Sequence, residues 1–287
     1  MTDELIEKGS FAVPDAMDPI HGTLRIVTWN INRGTRFSEL IESLRTLNPD
    51  LLFLQEVDHG ARRTGFRNIS AEIAQVLRMN YVFGSEFQEV AEGSAHRAAF
   101  HGQATLCRFP IASYKVIHFD HQSSFWQPRW FIPTWRYFQR RTGGRMALMV
   151  RIQILGASLV TYNLHLESRA RPSIRLRQLE QVLLDAYSHA DTVPVLIAGD
   201  FNCDLIREPM PARLAELKII PISTPKPQVT TRSRLGGGRS IDWIVVRGPI
   251  HVSAGEVHRG HRASDHLPVS LTLQCPEHAH GPDEKPS

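Results

Sequence analysis

The strand-like runs of this chain come in groups, several following one another with no helix between, and that grouping constrains the fold most. Leu24–Trp29, Leu51–Leu54, Ala104–Cys107, Lys115–Phe119, Met146–Ile154, Leu159–Leu164, Val195–Ala198, Ile241–Val246 and Leu267–Leu273 read as strands, and Tyr81–Phe83 begins another. Three segments have helical spacing instead. Phe37–Leu47 places apolar residues at 37, 40, 41, 44 and 47, and Ile69–Leu77 repeats the pattern. Arg175–Tyr187 sets Leu176, Leu179, Val182, Leu183 and Ala186 on one side. A doubly wound parallel sheet needs a helical crossover between successive strands. This pattern predicts two packed sheets with helices outside, an α/β sandwich.

Composition narrows the class. Hydrophobic residues make up 42% and charged residues 22%, usage that excludes a disordered chain, and 19 glycines with 18 prolines exclude a collagen-like fibre. A chain of 287 residues buries enough core to need no disulfide or metal staple. Residues 1–22 are polar and proline-broken and predict a loose arm; residues 276–287 are apolar-poor and predict a disordered tail. Between them, 23–275 contains no repeat or low-complexity linker and reads as one domain. No apolar run reaches the roughly 18–20 residues of a membrane helix, so no transmembrane segment is expected. Asp3, Glu4 and Glu7, with no apolar stretch beside them, do not read as a signal peptide. The scattered Cys107, Cys203 and Cys275 predict reduced thiols and a cytoplasmic location rather than a disulfide framework. Lys and Arg number 33 against 29 Asp and Glu, a net +4 that admits an anionic partner without requiring one.

Polar residues recur where the strands end. Asn30 closes IVTWN, Glu56 follows LLFLQ, Asn163 and His165 lie in VTYNLHL, Asp200 and Asn202 in VLIAGDFN, and Asp265 and His266 in ASDHLPV; Asp242 opens DWIVV. One such residue is a turn former. Their recurrence predicts strand ends converging on one mouth. A hard cation such as Mg²⁺ (or Mn²⁺) takes oxygen ligands from a few carboxylates or amides and keeps several waters. Glu56 supplies a carboxylate, Asn30 a neutral carbonyl and Asp265 a second carboxylate, while the thiol and imidazole donors that suit zinc are not clustered. Asp200 and Asn202 sit two apart on one turn, so a carboxylate and an amide can face the same cavity.

The ordered set WNIN (29–32), QE (55–56), HGQATLCRFPI (101–111), NLHLES (163–168), Arg175 with Gln178, GDFN (199–202), IDWIVV (241–246) and SDHLPV (264–269) resembles the endonuclease/exonuclease/phosphatase superfamily of divalent-metal phosphoesterases. That superfamily includes DNase I, the apurinic endonucleases, neutral sphingomyelinases and inositol polyphosphate phosphatases. The resemblance spans about 25 to 270 and implies a DNase I-like, four-layer α/β sandwich: two mixed β-sheets face to face, helices outside. It implies Asp200 as the base that orients or deprotonates a water, with Asn202 steadying it and donating to the phosphate. It implies His266 at the scissile phosphate, as base or as charge-stabilising cation, with Asp242 fixing its tautomer. His165 is then a second phosphate contact or leaving-group donor, and Asn163 positions its loop on the substrate. Two departures stand out. Gln103 replaces the family's usual Asn, and its extra methylene displaces the phosphate contact expected of that strand. Cys107 replaces a Ser and reads as a buried apolar residue.

The stretch 125–141, FWQPRWFIPTWRYFQRR, holds seven aromatics, four arginines and no acid. Arg129, Trp130 and Arg136 there read as substrate contacts, arginine to phosphate and aromatic to base. The same residues also suit a phospholipid surface, or packing against the sandwich or in a dimer contact. A second basic cluster, Arg169, Arg171, Arg175 and Arg177, follows the NLHLES turn, with Arg175 placed to brace the site. Arg232 and Arg234 in the TTRSRLGGG loop, with Arg239 directly after it, can clamp an anion, or simply meet solvent. Together these predict a phosphodiesterase acting on nucleic acid, DNA first. The alternatives are a sphingomyelinase-like phospholipid phosphodiesterase, a small-molecule phosphatase, and a non-catalytic binding domain on the same fold. The last sits poorly with a complete set of Asn30, Glu56, Asp200, Asn202, Asp242, Asp265 and His266.

Overall fold

The computed structural model of the protein describes residues 4–13, 22–94, 96–123, 140–154, 156–206, 210–216, 219–221, 228–232 and 237–274. Two mixed sheets form their framework. The first contains β1 (Ile6–Ser10), β2 (Thr23–Arg33), β3 (Leu51–His59), β4 (Asn80–Gln88), β5 (Phe100–Cys107), the short β7 (Thr142–Gly143), β13 (His251–Val257) and β14 (Val269–Gln274). Its order is β1-β4-β5-β3-β2-β14-β13, with β7 on β4. The second contains β6 (Ile111–His118), β8 (Met146–Ile154), β9 (Ala157–His165), β10 (Val195–Asp200), the short β11 (Ile220–Pro221) and β12 (Asp242–Arg247), in the order β11-β12-β10-β9-β8-β6.

Each sheet has one parallel pair, β2 with β3 and β9 with β10. A parallel pair needs a crossover. α1 (Phe37–Leu47) supplies the first and α3 (Pro172–Tyr187) the second. α1 buries Leu40, Ile41, Leu44 and Leu47 and ends where Asn48 turns left-handed, its N–H bonding back to Leu44. α2 (Ile69–Leu77) is capped by the Asn68 side chain on the Ala71 N–H. α3 opens on Pro172, whose fixed φ suits a first turn, and buries Leu179, Val182, Leu183 and Ala186. The short α4 (Met210–Glu216) follows β10.

Three apolar clusters separate these layers. One joins α1 and α2 to the first sheet through Val27, Trp29, Leu44, Leu54 and Ile73. The next lies between the sheets, from Ile26, Phe53, Val150, Leu196 and Ile244. The third joins the second sheet to α3 and α4 through Tyr162, Leu164, Leu183, Ile197 and Leu214. This is the four-layer α/β sandwich that the resemblance implied. Each fully buried Leu, Ile or Phe contributes about 1.5–3 kcal/mol, so the apolar alternation of the strands dictates the layering.

The faces between the sheets also change character along their length. Leu24, Ile26, Thr28 and Asn30 share one face of β2, and Leu196, Ala198 and Asp200 one face of β10. On β9 the series is Leu159, Thr161, Asn163, His165. Apolar residues fill one end of the inter-sheet space and polar residues the other. Because β2, β3, β9 and β10 finish at that polar end, the two crossover units bring four carboxyl-terminal strand ends to one mouth.

The N-terminal arm departs from expectation. Residues 6–10 are not loose: β1 pairs antiparallel with β4, from Ile6 opposite Gly84 to Ser10 opposite Asn80. Glu7 accepts a hydrogen bond from Asn68 Nδ2 at 2.6 Å and another from the Tyr81 hydroxyl. The sequence hid this strand because backbone pairing on an open sheet edge, not apolar patterning, holds it. The predicted tail, 276–287, and residues 125–139 of the aromatic stretch, Arg129, Trp130 and Arg136 among them, lie outside the described residues, while Arg141 at its end pairs with Glu89 at 2.6 Å. No described helix is long and apolar enough to cross a membrane.

Candidate active site

Asp200, Asp242 and His165 stand in one row across three adjacent strands, Asp200 opposite Asp242 on β12 and opposite His165 on β9. Gly199 permits that row. A Cβ there would lie 1.9 Å from the Leu164 carbonyl oxygen, and its φ of +148° disfavours any side chain. The turn after β10 is then closed by Asp200 itself. Its Oδ1 accepts from the Asn202 N–H at 2.9 Å, and Asn202, at φ +51°, donates from Nδ2 to the Leu166 carbonyl at 3.0 Å.

Glu56 reaches the site by a different device. Strict alternation along β3 would send residue 55 between the sheets and residue 56 to the helix side. Between Leu54 and Val57, however, the pairing with β5 slips, so two residues oppose Gln103 alone. Glu56 occupies this bulge at φ +53°, a left-handed conformation that costs a non-glycine residue on the order of 1 kcal/mol. The bulge re-aims its carboxylate, and Oε1 accepts from Asn30 Nδ2 at 3.2 Å. The same amide nitrogen donates to Asp200 Oδ2 at 3.2 Å, while Asn30 Oδ1 accepts from the Asn32 N–H.

Two histidines flank Asp200 Oδ2, His165 Nε2 at 3.5 Å and His266 Nε2 at 3.8 Å. The Nδ1 of His266 lies 2.9 and 3.0 Å from the two oxygens of Asp242. The His266 loop is pinned by the Trp29 indole N–H on the His266 carbonyl at 2.9 Å, and by Ser264, which donates to the Asn30 carbonyl and accepts from the His266 N–H. On the other side, Arg145 NH1 lies 2.8 Å from His165 Nδ1 and 2.7 Å from Glu86 Oε2.

These contacts sort the charges. Burial alone would lower the pKa of His266, but Asp242 and Asp200 outweigh it and raise it to about 10. Burial, reinforced by Arg145, holds His165 well below the ordinary imidazole range. Burial lifts Asp200 to about 7, the pull of His266 being opposed by the charge of Asp242. Glu56 goes the other way: burial pushes it up, but His101, Arg145 and the Asn30 N–H hold it below the usual carboxylate range.

Asp200, Asp242 and His266 bring ligand-type atoms within 4.8 Å of one another. With His266 Nδ1 already held between both Asp242 oxygens, that trio is better suited to holding a proton than a metal. Glu56 is an ionised oxygen donor, and Asp265 is exposed at the mouth beside His266. Carboxylate oxygens of this kind, with an amide carbonyl, are the donors a hard divalent cation takes. Asn30 turns its nitrogen, rather than the expected carbonyl, toward the carboxylates; a half-turn of the amide exchanges the two.

Three expected substrate contacts are placed elsewhere. Asn163 is fully buried and ties the sheets together: Oδ1 accepts from Gln55 Nε2 at 2.7 Å, and Nδ2 donates to the Leu54 and Ala104 carbonyls. Gln103 is likewise buried, donating to Glu86 Oε1 at 2.9 Å and to the Met146 carbonyl at 2.8 Å. Asn163 lies two residues before His165 on the same face of β9, and Gln103 lies opposite the β3 bulge that carries Glu56. Arg175 donates to the Glu167 and Ala170 carbonyls and braces the loop after β9. Arg239 reaches the Asn202 carbonyl at 3.0 Å. Glu86, Arg145 and Ser264 were not singled out from the sequence as site residues. The signal for the first was available, a lone carboxylate within the otherwise buried run YVFGSEF.

The family model described as "Endonuclease/Exonuclease/phosphatase family" matches residues 27–266. The chain belongs to this family. The match covers every residue of the row and mouth just described, from Asn30 to His266. Solved structures agree in fold. An endonuclease/exonuclease/phosphatase from Beutenbergia cavernae is 21% identical with a TM-score of 0.64, over 88% of this chain and 72% of that one. The human Nocturnin catalytic domain with bound sulfate anion is 16% identical with a TM-score of 0.63, over 93% and 97%. A D. rerio TDP2 humanized by 14 mutations is 18% identical with a TM-score of 0.60, over 88% and 99%. No curated protein matches the chain in sequence. At these identities the solved structures establish the fold and leave the substrate to the site's own chemistry.

Proposed function

We propose that this member of the endonuclease/exonuclease/phosphatase family is a divalent-metal phosphodiesterase that hydrolyses nucleic acid, DNA first, by in-line attack of water. The observation that carries the reading is the sorting of charge around Asp200. A carboxylate poised near neutrality lies between a cationic and a neutral imidazole, within hydrogen-bonding reach of the Asn30 amide. Asp200 takes the proton of the attacking water, and its raised pKa suits that task at neutral pH. The backbone N–H of Asn202 keeps the carboxylate aimed, and the second hydrogen of its side-chain amide is left for a phosphate oxygen. His266, held as a cation by Asp242, offsets the charge that develops on the phosphoryl oxygens. The Nε2–H of His165 meets the oxygen of the leaving group as its bond to phosphorus breaks. Glu56, Asn30 and Asp265 would hold Mg²⁺ or Mn²⁺, which supplies Lewis-acid polarisation of the phosphate.

The choice of nucleic acid rests on the arginines. Arg169, Arg171 and Arg177 follow β9 beside the site, and the 125–141 sequence adds arginines interleaved with aromatics. That aromatic density also supports a phospholipid surface as the second reading. Purified protein should be tested on DNA, on sphingomyelin vesicles and on an inositol phosphate, each with Mg²⁺, Mn²⁺ or chelator. DNA cutting is expected with metal only, and Asp200→Asn should reduce it on the order of 10³-fold or more with folding intact. Turnover of lipid alone would replace nucleic acid by the second reading. Metal binding without any turnover would leave a small phosphoester as substrate, and failure of both would favour a binding domain.

A further inference from the structure

We propose that Arg145 is a positioning residue that fixes His165 as the neutral tautomer, with its single proton on Nε2 and directed toward Asp200. The catalytic consequence rests on the phosphoesterase reading above; the tautomer does not.

The geometry leaves one assignment. A guanidinium has only donors. Arg145 NH1 carries two hydrogens and has two partners, Glu86 Oε2 at 2.7 Å and His165 Nδ1 at 2.8 Å. A ring nitrogen that accepts from arginine bears no proton, so the imidazole is neutral and its proton sits on Nε2. That nitrogen is 3.5 Å from Asp200 Oδ2. Glu86 Oε2 is 4.0 Å from His165 Nδ1, so the guanidinium stands where a direct carboxylate–imidazole pair would otherwise form.

The interposed arginine is a built feature. Its side chain is buried beside Glu86, and the Phe87 ring lies 5.3 Å from its guanidinium carbon. Gln122 closes a ring of hydrogen bonds on its backbone, accepting from the Arg145 N–H at 2.9 Å and donating to its carbonyl at 2.6 Å. Gln103 holds the far oxygen of Glu86 at 2.9 Å. Of the other charged groups around His165, His101 from β5, His266 and Arg141 disfavour a second positive charge, while the carboxylates of Asp200 and Glu86, at 3.5 and 4.0 Å, favour one.

The consequence is a division of labour. Were Glu86 to pair directly with His165, the ring would be favoured as a cation, as Asp242 favours His266. A second imidazolium 3.5 Å from Asp200 would pair with the carboxylate that must receive the proton of the water. Arg145 lets His165 donate a hydrogen bond without bringing a charge.

Histidine nitrogen NMR of the full chain tests this, with the His165 signals assigned by their loss in His165→Gln. A bare Nδ1 and a protonated Nε2 are expected from about pH 6 to 8, where an ordinary imidazole titrates. A protonated Nδ1, or an imidazolium at neutral pH, would overturn the proposal. Arg145→Met should let His165 gain a proton against Glu86, and kcat should fall about 10²-fold with KM little changed. Arg145→Lys, which keeps a cationic donor, should keep the neutral ring and recover most of the activity. An unchanged His165 signature in Arg145→Met would sink the proposal. If that variant fails to fold, the wild-type and Arg145→Lys spectra still decide. If the wild type turns over no phosphoester, the functional reading fails while the spectra judge the tautomer separately.

Discussion

His165 and His266 approach the same oxygen of Asp200, at 3.5 and 3.8 Å, from opposite sheets, and yet they differ in charge. The difference lies on the far nitrogen of each ring. His266 Nδ1 faces the carboxylate of Asp242, and His165 Nδ1 faces the guanidinium of Arg145. A carboxylate can only accept and favours the imidazolium; a guanidinium can only donate and demands the neutral ring. One residue type thus takes two charge states because its partner, rather than its position beside Asp200, decides the proton count. Paired groups with pKa values pushed apart are how one site holds an acid and a base at the same pH.

The sharpest way to break this contrast is to remove the carboxylate. Asp242→Asn keeps the shape of the side chain and a hydrogen-bond partner for His266, but it takes away the charge that favours the cation. His266 should then be neutral at pH 8, and kcat should fall on the order of 10³-fold with KM within a few-fold. An unchanged kcat would show that the cation is not used in the rate-limiting step. An imidazolium that survives in the variant would show that Asp200 alone sustains it.

Much of this arrangement was legible in the sequence, and the limits have physical causes. The bounds of α1 and α2 follow directly from apolar spacing, because one face of each helix packs on a sheet. The residues that line the mouth were legible because each lies beside a strand terminus, His165 and Asp200 closing β9 and β10, Asp242 opening β12 and His266 shortly before β14. Asn163 and Gln103 were misplaced because a polar residue inside a strand looks the same whether it faces a ligand or a second sheet. Glu56 shows the reverse. Period-two alternation would have directed it away from the site, and only the bulge opposite Gln103 brings it in. Arg145 and Glu86 come together from β4 and the segment before β8, which the sequence cannot align. That meeting is a property of two sheets facing each other, so the charge of His165 became readable only with the fold.

The two histidines should also respond oppositely in stability. His165 has a folded pKa far below its unfolded value of about 6.5. Below that pH the unfolded chain binds a proton that the native state refuses, so stability is lost as pH falls, by up to about 1.4 kcal/mol per unit. His266 has a folded pKa raised to about 10, so its contribution is fully present below about 6.5 and is lost as pH rises through 10. Urea unfolding of chelator-treated protein at several pH values separates the two. His165→Gln should flatten the acid side of the profile relative to wild type, and Asp242→Asn the alkaline side. Identical acid slopes in wild type and His165→Gln would mean that the native His165 is protonated, against the contrast drawn here.

The smallest expected effect concerns how each ring is anchored. His165 belongs to β9, paired on both sides by β8 and β10. His266 lies in a loop before β14 and depends on single contacts, among them the Trp29 indole on its carbonyl at 2.9 Å. Trp29 is fully buried in the cluster under α1, so this bond connects the core of the first sheet to the His266 loop. In Trp29→Phe most of the ring volume stays while the donor is lost, leaving the His266 carbonyl without that partner. A cost of about 1–3 kcal/mol in stability is expected from the missing bond and the volume lost. The decisive reading is local. Amide exchange should quicken at residues 264–266, and His266 should lose part of its hold on Asp242, while exchange along β9 and the His165 tautomer stay as in wild type. If both histidines loosened together, the two sides of the site would share one anchor, and their difference in charge would no longer reflect two independent scaffolds.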